Sequence, residues 1–510
     1  MTPSFLASSC WRNSDTPTTS TKPAPCPSST NGIQAEDTRM TDVAPSKNPQ
    51  SQERVTLLQK FAYGFGASAD MIGFHGPAQL IMPVYTLALG VNPALVGIAI
   101  GITRIWDAFL DPVMGSISDR TQSRHGRRRP YIFSGAILAG LTFALMWQIP
   151  TGWSDTAYFT LLIGTLILFY TAFTIFTVPY HAIGYEMTSS YHERTSVMSY
   201  RMFFNMVGNI SAGWLLAGTQ LDWFDSTLEG ARYIGPLTGL VFILFGIAPV
   251  FFIKERSAVQ SSAAKRQMPI FRSLLATLKD PSFRILIILT VLMLSGWTFA
   301  MSIIVFINVS YVFPGDLKAS SILVGGMGMI QTAVVVLALM LATRLSKSVG
   351  KKGILKISFS IQFIHALAAW FLITPDHPYL QVIAYAIGAA GNMTFFLMLH
   401  SMTSDICDAD ELENGTRREG MYGAVITWMQ KLCVSVAVAM VGGALVLVGF
   451  DQTEGAIQSA QTALSLRLIY SGIFVVISIV GLSLLRHYTL TEKTVLRIQA
   501  ELAERKAGNG

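Results

Sequence analysis

The stretch GIAIGITRIWDAFLDPVMGSISD, from Gly97 to Asp119, is an apolar segment with ionisable side chains in its interior. Its length suits a helix that crosses a bilayer, which needs about 20 mostly apolar residues. Asp107 and Asp111 are four residues apart and share one helical face, and Arg104 lies one turn before Asp107. Because each charge at mid-bilayer costs about 2.5–3.5 kcal/mol on insertion scales, these side chains predict a functional site.

The composition of the whole chain also indicates a membrane protein. Of the 510 residues, 51% are hydrophobic and only 13% are charged, and the mean hydropathy is +0.47. These values exclude a single soluble domain, which usually carries about a quarter charged residues. The four cysteines have neither the density of a disulfide framework nor the spacing of a zinc or redox site.

Apolar segments recur along the chain after a polar, Ser/Thr/Pro-rich stretch that we expect to be a disordered tail, residues 1–54. Together they predict twelve membrane-spanning helices. The predicted spans are 56–89, 95–118, 130–149, 157–184, 196–218, 233–253, 283–312, 320–343, 354–373, 378–403, 420–449 and 465–485.

The basic residues lie mainly in the connections that follow even-numbered spans. Arg120, Arg124 and Arg127–Arg129 follow the second span, and Arg344, Lys347, Lys351 and Lys352 follow the eighth. The positive-inside rule therefore predicts that both termini are cytoplasmic. The basic residues of these connections account for the net charge of +7, so we expect no nucleic-acid partner.

An internal repeat connects the two halves of the chain. Arg120, Gly126 and the pair Arg127–Arg128 recur at the same spacing as Arg344, Gly350 and the pair Lys351–Lys352. Two loops that share one pattern six spans apart predict two six-helix bundles with a substrate site between them near mid-membrane. The predicted parts are a tail (1–54), a first bundle (55–253), a cytoplasmic linker (254–282), a second bundle (283–487) and a cytoplasmic tail (488–510).

The two carboxylates of the second span require partners inside the bilayer. Arg104 could neutralise Asp107 and merely tie helices together, but one arginine leaves Asp111 in need of a sodium ion, a proton or a distant lysine. Lys431 lies in the otherwise apolar eleventh span with at least ten residues of span on either side. It is therefore the expected distant partner.

Three long strings resemble one known family. They are DAFLDPVMGSISDRTQSRHGRRRP (Asp107 to Pro130), VPYHAIGYEMTSSYHERTSVMSYRMFF (Val178 to Phe204) and DICDADELENGTRREGMYGAVITWMQK (Asp405 to Lys431). In this order they resemble the glycoside–pentoside–hexuronide:cation symporters of the major facilitator superfamily. The resemblance covers about 450 residues and implies an all-α fold of twelve transmembrane helices.

The resemblance also implies roles for individual residues. Asp107 and Asp111 match the family's acidic cation-site positions, and Thr174 matches a hydroxyl that helps coordinate sodium, so a bound sodium ion would have the two carboxylates as metal ligands. Lys431 matches a lysine near that site, and Arg201 matches an arginine near the sugar pocket. With Arg104, Lys431 is expected to carry the coupling.

The sugar pocket departs from the family pattern. An aspartate and a tryptophan of the family's fourth helix are replaced here by Thr177 and His181, and Asp70 is one position away from the family's first-helix carboxylate. A galactoside is therefore a poor expectation. Asp70, with Phe74, His75 and Gln79 on nearby turns, could form a replacement polar pocket or pair with a basic neighbour. His181 could sense pH, bond to the substrate or be a satisfied histidine, and Trp428, three residues before Lys431, could stack on a sugar or simply pack.

Charges lie at the cytoplasmic end of the fourth span and in the corresponding loop of the second half, opposite the Arg-rich segment 120–129. They predict a gate whose salt bridges form in the outward-facing state and break in the inward-facing one. The alternative is a solvated loop of both signs. The candidate gate residues are Arg127, Arg128, Glu186, Arg194, Asp405 and Arg418.

Six glycines are expected to let helices approach one another closely rather than to touch substrate. They are Gly64, Gly66, Gly97, Gly101, Gly442 and Gly443.

The expected function is symport of a sugar, such as a glycoside, an oligosaccharide or a hexuronide, with sodium or a proton by alternating access. No motif of ATP hydrolysis or hydrolytic catalysis is present, so neither an enzyme nor a cofactor is expected. We expect a monomer in a bacterial inner membrane. The alternatives are a sodium-coupled lysophospholipid carrier and a transport-inactive sugar sensor.

Overall fold

The computed structural model describes residues 55–188, 191–253, 277–415, 419–453 and 455–508, apart from the side chains of 185, 186, 191, 192, 195, 419, 420 and 506–508. The predicted tail 1–54 and most of the predicted linker, 254–276, lie outside this part of the chain. The same holds for Arg418 and for the side chain of Glu186, two of the candidate gate residues.

The described chain is helical and contains no strand. Its helices are α1 (Leu57–Met82), α2 (Pro93–Arg120), α3 (Arg129–Met146), α4 (Asp155–Glu186), α5 (Tyr191–Gly213), α6 (Thr227–Phe252), α7 (Pro281–Ile307), α8 and α9 (within Leu317–Leu372, on either side of Gly350), α10 (Gln381–Asn414), α11 (Glu419–Leu447), α12 (Ala460–Arg486) and α13 (Glu492–Gly508).

Local sequence signals set the helix ends. Thr56 forms a capping box with Gln59 before α1, and Asn92 caps α2 ahead of Pro93 at the first helical position. Asp280 caps α7 in the same way ahead of Pro281. Such residues satisfy backbone N–H groups that a helix start leaves without partners.

The described helices α1–α12 coincide with the twelve predicted spans. Among the described residues, nine helical segments are long and apolar enough to cross a membrane, and one of them contains both α8 and α9. The remaining two, α1 and α5, are interrupted by polar residues that face other helices. The prediction of an all-α, twelve-helix membrane protein is confirmed.

The repeat is visible in the backbone of both halves. Gly126 (φ 101°) and Gly350 (φ 70°) occupy the left-handed region at equivalent points of the α2–α3 and α8–α9 connections. Only glycine adopts this conformation at little cost. The first helix of each half also ends in a π turn, at Pro83–Ala88 after α1 and at Asn308–Val312 after α7.

The two bundles meet closely at one end of the molecule. We call it the far end, and we call the end that carries the loops 120–129 and 344–352 the basic end. A Cβ on Gly442 of α11 would lie 2.1 Å from the carbonyl oxygen of Pro93, and one on Gly97 of α2 would lie 2.9 Å from that of Ala439. Lys318 also forms an ion pair with Asp222 across the halves at this end. The far end is therefore closed.

Of the six glycines predicted to bring helices together, five lie in close contacts. A Cβ on Gly64, Gly66, Gly97, Gly101 or Gly442 would come within 3.4 Å of a neighbouring helix. The prediction was wrong for Gly443, which has open space around it because its position is rotated by about 100° around α11 from that of Gly442.

The C-terminal tail forms an additional helix, α13, which packs against the basic end of α10. Ile498 and Leu502 of this helix are buried. The guanidinium of Arg505 donates a hydrogen bond of 2.8 Å to the carbonyl oxygen of Leu412.

Candidate functional site

A polar cluster joins the two halves through α2 and α11. The ammonium group of Lys431 lies 2.9 Å from Oδ2 of Asp107 and 2.6 Å from Oδ2 of Asp111. The hydroxyl of Thr174, on α4, donates to Oδ1 of Asp107 at 2.9 Å. The structure thus brings together all four residues that the sequence placed at or beside the cation position.

The cluster holds one carboxylate oxygen without a protein partner. Oδ1 of Asp111 is buried and accepts no hydrogen bond from the described chain. The contacting groups also carry unequal charge, since two carboxylates face one ammonium group. An additional monovalent cation would balance this charge, and carboxylate and hydroxyl oxygens are the ligands that hard cations prefer.

Arg104 has a different partner from the one its spacing allowed. Its guanidinium donates to the carbonyl oxygen of Phe74 at 2.7 Å and lies 4.8 Å and 4.6 Å from the ring centroids of Phe74 and Tyr170. It makes no ion pair with Asp107 in the described structure. The pairing of Arg104 with Asp107 that would have made the carboxylate purely structural is therefore absent here.

A second polar cluster links α1 and α4. Asp70 accepts a hydrogen bond of 2.5 Å from Thr177 and lies 2.7 Å from Nε2 of His181. These are the two residues that replace the family's aspartate and tryptophan. Thr177 and His181, two residues expected at the substrate site, thus meet at the carboxylate of Asp70.

The exposure of both clusters increases towards the basic end. The side chain of Asp107 is 1% exposed and that of Asp111, one turn further along α2, is 28% exposed. Similarly, Asp70 is 5% exposed and His181 is 39% exposed. Because the far end is closed, both clusters are reached from the basic end.

Two of the candidate gate residues, Arg128 and Asp405, form ion pairs with residues of their own half. Arg128 pairs with Asp119 at 2.9 Å. Both oxygens of Asp405 accept from Lys351 at 2.7 Å. Arg194 is exposed, and Arg127 makes contacts within the part of the chain described here. The role of these residues as a gate stays a prediction.

Trp428, the other residue considered for substrate contact, is half-buried on α11, one turn before Lys431. It interacts with neighbouring groups, so its position alone does not distinguish stacking on a substrate from packing.

Two polar contacts were missed from the sequence. The phenol of Tyr385, on α10, donates to Oε1 of Gln331, on α8, at 2.7 Å. Lys318 and Asp222 form the far-end pair described above. The spacing of the repeat was the signal that could have drawn attention to Gln331, whereas nothing in the sequence linked Lys318 with Asp222.

Similarity to known proteins agrees with this architecture. The sequence profile of the MFS/sugar transport protein family matches residues 62–492, which is most of the chain. The chain belongs to this family. It is accordingly a multi-pass membrane protein, and members of the family are transporters.

Individual members of the MFS/sugar transport protein family are similar over most of their length. A symporter of Synechocystis is 25% identical, covering 78% of this chain and 87% of its own. A putative glycoside/cation symporter of Escherichia coli K12 is 22% identical, covering 90% and 97%. The sodium-dependent lysophosphatidylcholine symporter 1-A of Danio rerio is 23% identical, covering 90% and 91%.

A solved structure supports the fold alone. The nucleoside transporter NupG superimposes with a TM-score of 0.63 at 12% identity, covering 84% of this chain and 98% of that one. The two chains therefore share the same overall helical fold.

Proposed function

We propose that this protein is a symporter that couples the entry of a hydroxylated substrate, a glycoside or oligosaccharide, to sodium or a proton. One observation carries the proposal. Lys431 of the second half bridges Asp107 and Asp111 of the first half, and a buried oxygen of Asp111 is left without a partner. Burying these charges in a membrane costs free energy, and binding of a transported ion explains why they are present.

The ion competes with Lys431 for the carboxylates. When the ammonium group bridges the aspartates, the contacting set keeps one negative charge, which draws in a cation. A cation on Asp107 and Asp111 weakens the hold of Lys431, and this contact is the one described charged link between the halves near mid-membrane. Ion binding therefore acts on the interface that moves in alternating access.

The substrate lies beside this site. Asp70, Thr177 and His181 supply a carboxylate, a hydroxyl and an imidazole within hydrogen-bonding distance of one another. Hydroxyl groups of a sugar can replace these mutual bonds with bonds of similar strength. A similar protein in Escherichia coli carries the name of a glycoside/cation symporter, which supports the substrate class.

Two ions suit the cluster. Sodium would take oxygens of Asp107, Asp111 and Thr174, whereas a proton would need only Asp111. Ion and substrate must favour each other to the same extent in either case, because coupling between two binding sites is reciprocal.

The test is uptake by purified protein in proteoliposomes. A panel of labelled glycosides and oligosaccharides is offered under an imposed sodium gradient, an imposed pH gradient, or neither. We expect accumulation of at least one sugar above its outside concentration under one of the gradients. Binding of a sugar without accumulation under any gradient would make the protein a sensor, and the proposal would be wrong.

A lysophospholipid carrier is the second candidate, favoured by the similarity to the lysophosphatidylcholine symporter of Danio rerio. The same proteoliposomes distinguish it. Sodium-driven movement of a labelled lysophospholipid, with no uptake of any sugar, would assign the protein to lipid transport.

A further inference from the structure

The repeat locates the position in the second half that corresponds to Asp107. Arg120 and Gly126 recur as Arg344 and Gly350, so equivalent positions of the loops after α2 and α8 differ by 224 residues. The same offset makes Gln331 the equivalent of Asp107 in the second half. Gly328 then corresponds to Arg104 and Val335 to Asp111.

Packing agrees with this correspondence. A Cβ on Gly101, six residues before Asp107, would lie 3.3 Å from Ala439 of the other half. A Cβ on Gly325, six residues before Gln331, would lie 3.0 Å from Trp214 of the other half. Both positions also bond to the fourth helix of their own half. Thr174 of α4 donates to Asp107, and Tyr385 of α10 donates to Gln331.

The chemistry of the two positions differs. Between Lys318 and Arg344, helix α8 contains no ionisable residue, and Gln331 is its one carboxamide. The residue as a whole is half-buried; its oxygen accepts from Tyr385, while its nitrogen makes no hydrogen bond within the described chain. A polar group in such an apolar span is expected to have a partner, so the two N–H bonds are available to a ligand.

The geometry points to a ligand site of the second half, in which Gln331 and Tyr385 bind hydroxyl groups of a neutral sugar unit of the substrate. The amide N–H groups of Gln331 donate, and the phenol oxygen of Tyr385, whose proton is already engaged, accepts. A neutral pair cannot replace the carboxylates as a cation site, and it offers no countercharge to a uronate. This inference rests on the proposed sugar transport and adds to the Asp70 cluster of the first half a sugar contact from the second half, at the position equivalent to Asp107 of the cation site.

The test compares sugar binding and ion binding in the same purified protein. Gln331→Leu and Tyr385→Phe are measured for equilibrium binding of the transported sugar and, with no sugar present, for binding of the coupling ion. Each variant should weaken sugar binding about tenfold, as expected for one lost hydrogen bond that leaves a polar group unpaired. Ion binding should stay within about twofold of the original protein.

Thr332→Val, at the next position of α8, is the matched control and should change neither quantity. Tyr385→Phe removes a single oxygen, so it reports on the site even where Gln331→Leu does not fold. Unchanged sugar binding in Tyr385→Phe and in folded Gln331→Leu would overturn the inference while leaving the proposed transport intact. Absence of sugar binding in the original protein would instead overturn the proposed function itself.

Discussion

The two halves of the molecule share one backbone plan but differ in charge. Each half has a left-handed glycine after its second helix, at Gly126 and Gly350, and each has a π turn at the end of its first helix. The first half carries Arg104, Asp107 and Asp111 on α2. At the equivalent positions of α8 the second half has glycine, glutamine and valine.

In the proposed mechanism, this difference lets the two halves of one scaffold bind two kinds of ligand. Lys431 is the charge that the second half contributes to the mid-membrane cluster of the described structure, and it reaches across to the carboxylates of the first half. An ion that displaces it acts on both halves at once.

The largest effect is expected for Asp111→Asn. The change removes one of two charges that attract the cation, and the amide cannot be protonated as a carboxylate can. Uptake stimulated by the ion gradient should fall about a hundredfold or more, as for loss of one partner of a buried charged pair. The measurement is gradient-driven accumulation in proteoliposomes.

Asp225→Asn is the control for this change, because Asp225 is an exposed carboxylate at the far end. It should transport like the original protein. Concentrative, cation-stimulated uptake by Asp111→Asn would exclude the carboxylate pair as the coupling site.

The next effect is expected for Lys431→Gln. Without the ammonium group the two carboxylates repel each other and lose their competitor, so the coupling ion should bind about tenfold more tightly in the absence of sugar. Uptake should nevertheless fall more than tenfold, because the contact between the halves no longer responds to the ion. Ion binding and uptake are measured on the same preparation.

Tighter ion binding together with slower uptake would show that Lys431 competes with the ion for the carboxylates. If ion binding weakens along with uptake, Lys431 helps to build the cation site instead of competing for it.

A smaller effect is expected where the halves touch at the far end. Gly442→Ala would place a Cβ 2.1 Å from the carbonyl oxygen of Pro93, which prevents the closure seen here. Uptake should fall about five- to tenfold, in line with the usual cost of overpacking. Gly443→Ala is the matched control, since open space surrounds Gly443, and it should retain full uptake.

Two kinds of feature could be predicted from the sequence: those that repeat along the chain, and charged residues inside otherwise apolar spans. A soluble chain would have neither the twelve apolar spans nor charged residues in the middle of one of them, as in α2. These features, and the loop pattern around Gly126, can therefore be recognised without coordinates. Lys431 followed from charge balance, because Asp111 had no partner on its own helix. The structure places its ammonium group 2.6 Å from that carboxylate.

What the sequence could not predict are partners that depend on helix packing. Arg104 bonds to a backbone carbonyl and two aromatic rings of α1 and α4, and carbonyl groups leave no signal in a sequence. Tyr385 meets Gln331 from more than fifty residues away. A neutral carboxamide in an apolar span is also a weaker signal than a charge, because its insertion costs less.

The smallest effect is expected from the ion pair of Lys318 and Asp222, which lies at the far end and joins the two halves there. Both groups are substantially exposed, so solvent screens the pair and limits its contribution. Lys318→Asp should shift the equilibrium towards the state open at the far end and change uptake only about two- to threefold. A cysteine introduced at Ala94, which lies in the closed contact with Gly442, should then react faster with a membrane-impermeant thiol reagent. The double exchange Lys318→Asp with Asp222→Lys should restore the original rate, since it recreates the attraction in reverse. Equal labelling rates in all three proteins would mean that backbone packing around Gly442, and not this charge pair, holds the far end closed.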